Sequence, residues 1–436
     1  MKPLLCAFFF FLIPFFRVLS NTFGQERNLS QVGNKDERDP LSDSVRKILY
    51  GDLPHYQVID YGSNDILFSQ NLEPFFKALQ ELQNRKRKQV HILHIGDSHL
   101  QADFFTGEVR RRLQADSRFG QAGRGFIFPY NLAKTNNPLD YKVTYTGTWE
   151  GFRSTLPSHQ SRWGLAGITA LTYQSSATFS IKLQTFKGRT PVGFNKIRIF
   201  YPTQDSTQFE PTLFLDSKNI LSRKVSEEGY MEYTLREAQT ELNLGFVKTE
   251  TGQKRFLLQG IWLENTEQAG ILYSAVGVNG ADTKTYLRCE DFENNLRSLA
   301  PDLVIISLGT NDAYATNFDE NLYQANLEFL IAQIRKNFSQ MPILLTSPND
   351  TYRHQKYINY HTEKAQEKLY LVAQNKQVAF WDFFKIMGGT KSIAYWQQAE
   401  LAQRDRIHLS QAGYELQGQL FFEALDEAYK NWQKRK

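Results

Sequence analysis

The chain has 436 residues, 41% of them hydrophobic and 22% charged. That length allows two or three domains, and that composition excludes a disordered chain. A formal charge of +5 is too weak to argue nucleic-acid binding and suits a mildly basic surface facing anionic polymers.

The first twenty residues, MKPLLCAFFFFLIPFFRVLS, join Lys2 to an apolar run from Leu4 to Phe16. Val18-Leu19-Ser20 fits the small-residue rule for cleavage. The run is shorter than the roughly 20 residues of a membrane span and contains Pro14. Residues 1–20 therefore read as a cleaved export signal peptide rather than a retained anchor. Cys6 lies too early for a lipoprotein layout. Cleavage after Ser20 removes Lys2 and Arg17 but no acid, lowers the formal charge from +5 to +3, and leaves no stable membrane span. It also leaves Cys289 alone, so no internal disulfide is expected despite an oxidising address.

Residues 21–70 are polar and read as a leader and linker. From there to residue 140 the texture is α/β. NLEPFFKALQELQNRKRKQ has apolar residues at helical spacing, with Pro74 near the start. A strand from Val90 to Ile95 follows and runs into the polar turn Gly-Asp-Ser-His, then a helix over Ala102 to Gln114. His91 and His94 stand three apart on that strand, hence on opposite faces, which argues against a shared metal. No Cys/His cluster has zinc spacing.

Residues 141–268 change character. Short runs such as YKVTYTGTW, ATFSIKLQTF and KRFLLQGIWLEN are β-rich and separated by polar turns, which predicts an inserted all-β sandwich or jelly roll. Its Trp149, Trp163, Tyr173, Phe200 and Tyr201 are sandwich core or, if exposed, platforms for sugar rings. Residues 269–436 return to α/β. ILYSAVGVNGADT, DLVIISLGTNDA, PILLTSPND and VAFWDFF read as strands running into polar turns. Helices are expected over Glu320–Lys336, Gln355–Gln374 and from Ser410. Such alternation implies a parallel sheet covered on both faces, with ligands at strand C-terminal ends.

Four segments then meet at one edge of the sheet. Ser98 follows the first strand, Gly280 the second and Asn311 the third, while Asp405 and His408 precede the last helix. Ser98 alone could be a helix cap, and Asn311 or Gly280 alone a turn residue. Together they suit acyl transfer. His408 can take the Ser98 proton, and Asp405 can hold the imidazole. The Ser98 and Gly280 N–H groups with the Asn311 amide can stabilise an oxyanion. His99 is adjacent to Ser98 and so is poorly placed to serve as its base.

These blocks resemble the SGNH (GDSL-type) hydrolase superfamily: Ser98 in GDSH, Gly280 in VNGADT, Asn311 in GTND and His408 in DRIH. The resemblance implies a three-layer, flavodoxin-like parallel sheet. GDSH, the QADFFTG tail and the β insert look like bacterial peptidoglycan O-acetylesterases, in which a carbohydrate-binding-like module interrupts the hydrolase domain. Serine first and Asp-x-x-His last favours hydrolysis over transfer to a sugar. The resemblance implies an exported enzyme of the periplasm or cell envelope that deacetylates an O-acetylated polysaccharide through an acyl-Ser98 intermediate. It implies neither metal nor cofactor. The alternatives are a lipase, thioesterase or other glycan deacetylase, and an inactive glycan-binding protein.

Overall fold

The computed structural model describes residues 58–435. Six strands run parallel: β1 (Gln89–Gly96), β2 (Gln121–Ile127), β3 (Gly270–Gly277), β4 (Leu303–Ser307), β5 (Ile343–Thr346) and β6 (Ala379–Trp381). They lie in the order β6-β5-β4-β1-β3-β2. Val90 to Gly96 are buried without a break, as expected of a central strand covered on both faces. Without β2, the order β3-β1-β4-β5-β6 is that of a doubly wound sheet whose switch point lies between β1 and β4.

Helices cover both faces. Glu73–Gln83, Phe104–Ala115 and Gln411–Lys434 pack Phe75, Val109 and Leu420 against Val90 and Ile92. Phe292–Leu299, Glu320–Asn337 and His361–Lys376 bring Leu296, Leu327 and Leu369 to the face of Leu93 and Ile95. Period-2 alternation also parts the two histidines. His91 bonds Ser274 and the Leu299 carbonyl, whereas His94 bonds Tyr273 and Ser307. Burial depresses both imidazoles to about 3, so both are neutral polar links within the core.

The segment 141–268 is not the self-contained unit expected. Its strands Gly260–Glu264, Phe194–Phe200, Tyr230–Gln239 and Ile220–Ser226 add antiparallel in succession beyond β2 and, with Ile66–Leu67 on the opposite edge, bring the sheet to eleven strands. Tyr141–Thr146, Thr178–Leu183, Glu241–Val247 and Glu210–Leu213 make a separate four-stranded sheet, and Glu150–Arg153, Ile168–Thr172 and Phe256–Leu258 a three-stranded one. Phe179, Ile181 and Leu244 join the same apolar core as Leu93 and Ile95. The physical reason is edge protection: β2 would otherwise expose a row of unpaired backbone groups.

Three further expectations are corrected. Within 21–70, residues 58–70 belong to the fold, because Ile66–Leu67 pairs antiparallel with β6 and Ile59 and Ile66 are buried. A two-residue strand leaves no periodic trace. The helix expected over Ala102–Gln114 starts later, at Phe104, and ends at Ala115, because a separate short helix, Ser98–Gln101, comes first and Asp103 between them turns left-handed at φ 60°. The helix expected from Gln355 starts at His361, because Tyr352–Arg353 and Tyr357–Ile358 form a small hairpin. The signal peptide expected over residues 1–20 lies outside the described residues, among which no helix is long and apolar enough to cross a membrane.

Candidate active site

β1 ends at Gly96, and Asp97 caps the short helix behind it, its carboxylate accepting the His99 N–H at 2.9 Å. Asp97, not Ser98, thus serves as the cap. The Ser98 hydroxyl is left to meet His408 Nε2 at 2.9 Å. β3 comes close beside this turn: a Cβ on Gly277 would stand 2.5 Å from the Asp97 carbonyl and the Gln101 N–H. Only glycine permits that approach.

His408 precedes the helix Gln411–Lys434, whose first turn is capped by Ser410. Asp405 folds the intervening chain back on itself. One of its oxygens accepts the Ile407 and His408 N–H groups at 2.9 and 3.0 Å, and the other meets His408 Nδ1 at 2.8 Å. A carboxylate only accepts, so Nδ1 carries the proton and the Nε2 lone pair faces Ser98. Burial alone would lower the His408 pKa, but the hydrogen bond and charge of Asp405, with the charge of Asp97, raise it above 6.5. Burial opposes ionisation of Asp405, yet the bonds from His408 and Ile407 hold its pKa below the ordinary value.

Two further turns close on this one. Gly280 has φ 84°, which glycine adopts without strain, and the space before it is open except for Thr155, 4.0 Å from where a Cβ would stand. Asn311, in the first turn of the short helix Thr310–Tyr314 after β4, donates its amide to the Ala281 carbonyl at 2.8 Å and lies 3.5 Å from the Asp97 carboxylate. Its side chain therefore holds the Gly280 turn with one amide hydrogen, and the other, only loosely met by Asp97, is left for an oxyanion. The N–H groups of Ser98 and Gly280 have no acceptor among the described residues. The structure thus brings Ser98, His408 and Asp405 into one hydrogen-bonded chain at the switch point, with Gly280 and Asn311 on the adjoining turns. Such a site can activate a serine hydroxyl and offer donors to a developing oxyanion.

Several residues here were missed in the sequence. Asp97 is buried, which pushes its carboxyl up to about 7 despite the His99 N–H bond. Asp312 accepts from the Thr283 hydroxyl and N–H, and burial raises it to about 6. His99 does not reach Ser98 as a base. Its ring lies 5.1 Å from that of His408, with Nδ1 on the Tyr414 hydroxyl at 2.8 Å, and burial lowers it to about 3. Thr155 reaches the rim because Arg288 holds the carbonyls of Ser154, Leu156 and His159. The adjacency of Asp97 and Asp312 to Ser98 and Asn311 was a usable signal. Nothing local marked Thr155. Among the described residues no cluster of His, Cys, Asp and Glu could hold a metal.

Residues 252–416 match the model of the GDSL-like lipase/acylhydrolase family. That stretch holds Gly280, Asn311, Asp405 and His408, while Ser98 lies on the far side of the intervening β-rich segment. A solved peptidoglycan O-acetylesterase is similar with a TM-score of 0.69 and 25% identity, over 82% of this chain and 96% of that one. A lipase/acylhydrolase from Enterococcus faecalis overlaps 36% of this chain and 77% of its own at 23% identity and TM-score 0.29. An acetylxylan esterase from Geobacillus stearothermophilus overlaps 37% of this chain and 74% of its own at 20% identity and TM-score 0.29. No curated protein sequence matches. The chain carries a GDSL-like lipase/acylhydrolase domain and is a carboxylic ester hydrolase.

Proposed function

We propose that the protein is an exported serine esterase that removes O-acetyl groups from a cell-envelope polysaccharide, with peptidoglycan as its substrate. Similarity to a peptidoglycan O-acetylesterase over 82% of the chain carries the substrate reading. The Ser98–His408–Asp405 chain supports the mechanism. Ser98 Oγ attacks the acetyl carbonyl while its proton passes to His408 Nε2. The Ser98 and Gly280 N–H groups and the Asn311 amide meet the oxyanion. The intermediate collapses, and His408 returns the proton to the departing sugar oxygen. Water then gives its proton to His408 and attacks acetyl-Ser98. Acetate leaves and Ser98 recovers its proton. The apolar run of residues 4–16 supports export to the periplasm or cell envelope.

The test is acetate release from O-acetylated peptidoglycan beside acetylated xylan and a long-chain ester. Preference for xylan or for the long chain overturns the substrate reading.

The basicity of His408 sets the pH dependence. Its pKa is raised, and only the neutral imidazole can take the serine proton. Activity should therefore rise with pH, and the midpoint of the rising limb of kcat/KM should lie above 6.5. Asp405→Asn removes the charge that raises it, so the midpoint should fall along with the rate. A wild-type limb centred below 6.5, or one unmoved in Asp405→Asn, contradicts the pairing.

A polymer gains from a second contact, which a small ester lacks. Of the aromatic residues of the β-rich segment considered for sugar stacking, Trp149, Trp163, Phe200 and Tyr201 are buried, whereas Tyr173 is 59% exposed. Tyr173 lines a cleft of about 360 Å3 with Arg162, Asp205 and Arg255. Tyr173→Ala should raise KM on acetylated polymer and leave p-nitrophenyl acetate turnover unchanged. An unchanged polymer KM removes Tyr173 from the binding surface.

A further inference from the structure

The turn Val278–Ala281 is held on both sides of Gly280. Ala281 N–H closes it onto the Val278 carbonyl at 2.9 Å. The Ala281 carbonyl accepts the Asn311 amide at 2.8 Å. On the other side, Asn279 N–H donates to Gln101 Oε1 at 2.9 Å. Gln101 sits three residues after Ser98 on the same short helix and is 1% exposed. Its Nε2 is fixed in turn by Thr135 Oγ1 at 2.9 Å and by Asn136 Oδ1 and carbonyl at 3.0 and 3.1 Å. The Asn279 amide reaches the same two residues at 3.3 and 3.4 Å.

We propose that Gln101 is a positioning residue that aims the Gly280 N–H at the oxyanion. Glycine at φ 84° resists rotation of its peptide plane least of all residues, so its donor direction must be set by its neighbours. Gln101 fixes the peptide before the one that carries this N–H, the Ala281 N–H bond to Val278 fixes the one after it, and Asn311 holds the next. Gln101 also ties the donor to the helix that carries the nucleophile, so the two keep one geometry. The inference rests on Ser98 as nucleophile and Gly280 as donor.

Gln101→Met keeps the length of the side chain and removes all of these bonds. With p-nitrophenyl acetate, kcat should fall roughly tenfold to a hundredfold, the cost of a displaced catalytic group. KM and the midpoint of the rising pH limb should stay put, because His408 and Asp405 are untouched. A folded variant with wild-type kcat overturns the proposal. So does a loss with a moved midpoint, which would put Gln101 on the Ser98–His408–Asp405 chain. If Gln101→Met does not fold, the double variant Thr135→Val, Asn136→Ala decides, since it frees the outer end of Gln101, together with the Asn279 amide, and leaves the Gln101 bond to the Asn279 N–H in place. It should lower kcat severalfold, and an unchanged kcat overturns the proposal. Asn311→Ala is measured in parallel. Loss there but not in Gln101→Met sinks this inference alone, whereas loss in neither sinks the oxyanion assignment on which it rests.

Discussion

Ser98→Ala is expected to abolish ester hydrolysis, with kcat falling on the order of a millionfold, as when one member of a serine–histidine pair is lost. The hydroxyl is the only group at the end of β1 that faces His408 Nε2, at 2.9 Å. His408→Ala should cost about as much, because a serine hydroxyl without its base is not activated. The double variant should be no worse than either single one. Neither substitution should unfold the protein, since Ser98 and His408 are only half-buried and the helix cap is Asp97. Hydrolysis of p-nitrophenyl acetate, with thermal unfolding as control, measures both. A Ser98→Ala protein that turns over near the wild-type rate would place the chemistry elsewhere.

Asn311→Ala should have the next largest effect. One amide hydrogen of Asn311 holds the Gly280 turn through the Ala281 carbonyl at 2.8 Å and the other, only loosely met by Asp97 at 3.5 Å, is left for the oxyanion, so removing the side chain deletes a donor and loosens the turn that carries another. The expected loss is about a hundred- to a thousandfold in kcat, roughly 3 kcal/mol, at nearly constant KM. The split matters because an oxyanion donor acts on charge that develops only in the transition state. Raised KM at unchanged kcat would make Asn311 a ground-state contact.

The parts of the fold that could be read in advance were those with local signatures. The run Val90–Ile95, four apolar residues around His91 and His94, marks a buried strand, and the polar turns after β1, β3 and β4 mark where Ser98, Gly280 and Asn311 stand. Asp-x-x-His announced itself by spacing, and the structure gives that spacing a physical sense: the Asp405 carboxylate holds two backbone N–H groups and the ring nitrogen at once. What could not be read was non-local. Nothing in GIWLE says that Gly260–Glu264 pairs with β2, since any alternating strand could have done so. Trp163 and Tyr173 share one texture, yet one is 3% and the other 59% exposed. The bond from Asn279 to Gln101 spans 178 positions and has no trace in either local pattern. Asp97 sat beside the serine in plain view, but its capping role shows only once the helix is known to start at Ser98.

The central claim, that Ser98 is the nucleophile, is met most directly by covalent labelling. A fluorophosphonate should inactivate the enzyme at one equivalent, and tryptic mass spectrometry should find the adduct on the peptide Gln89–Arg110 at Ser98, absent in His408→Ala over the same interval. An adduct on another residue that accounts for the lost activity, or an unlabelled protein that still hydrolyses esters, would contradict it.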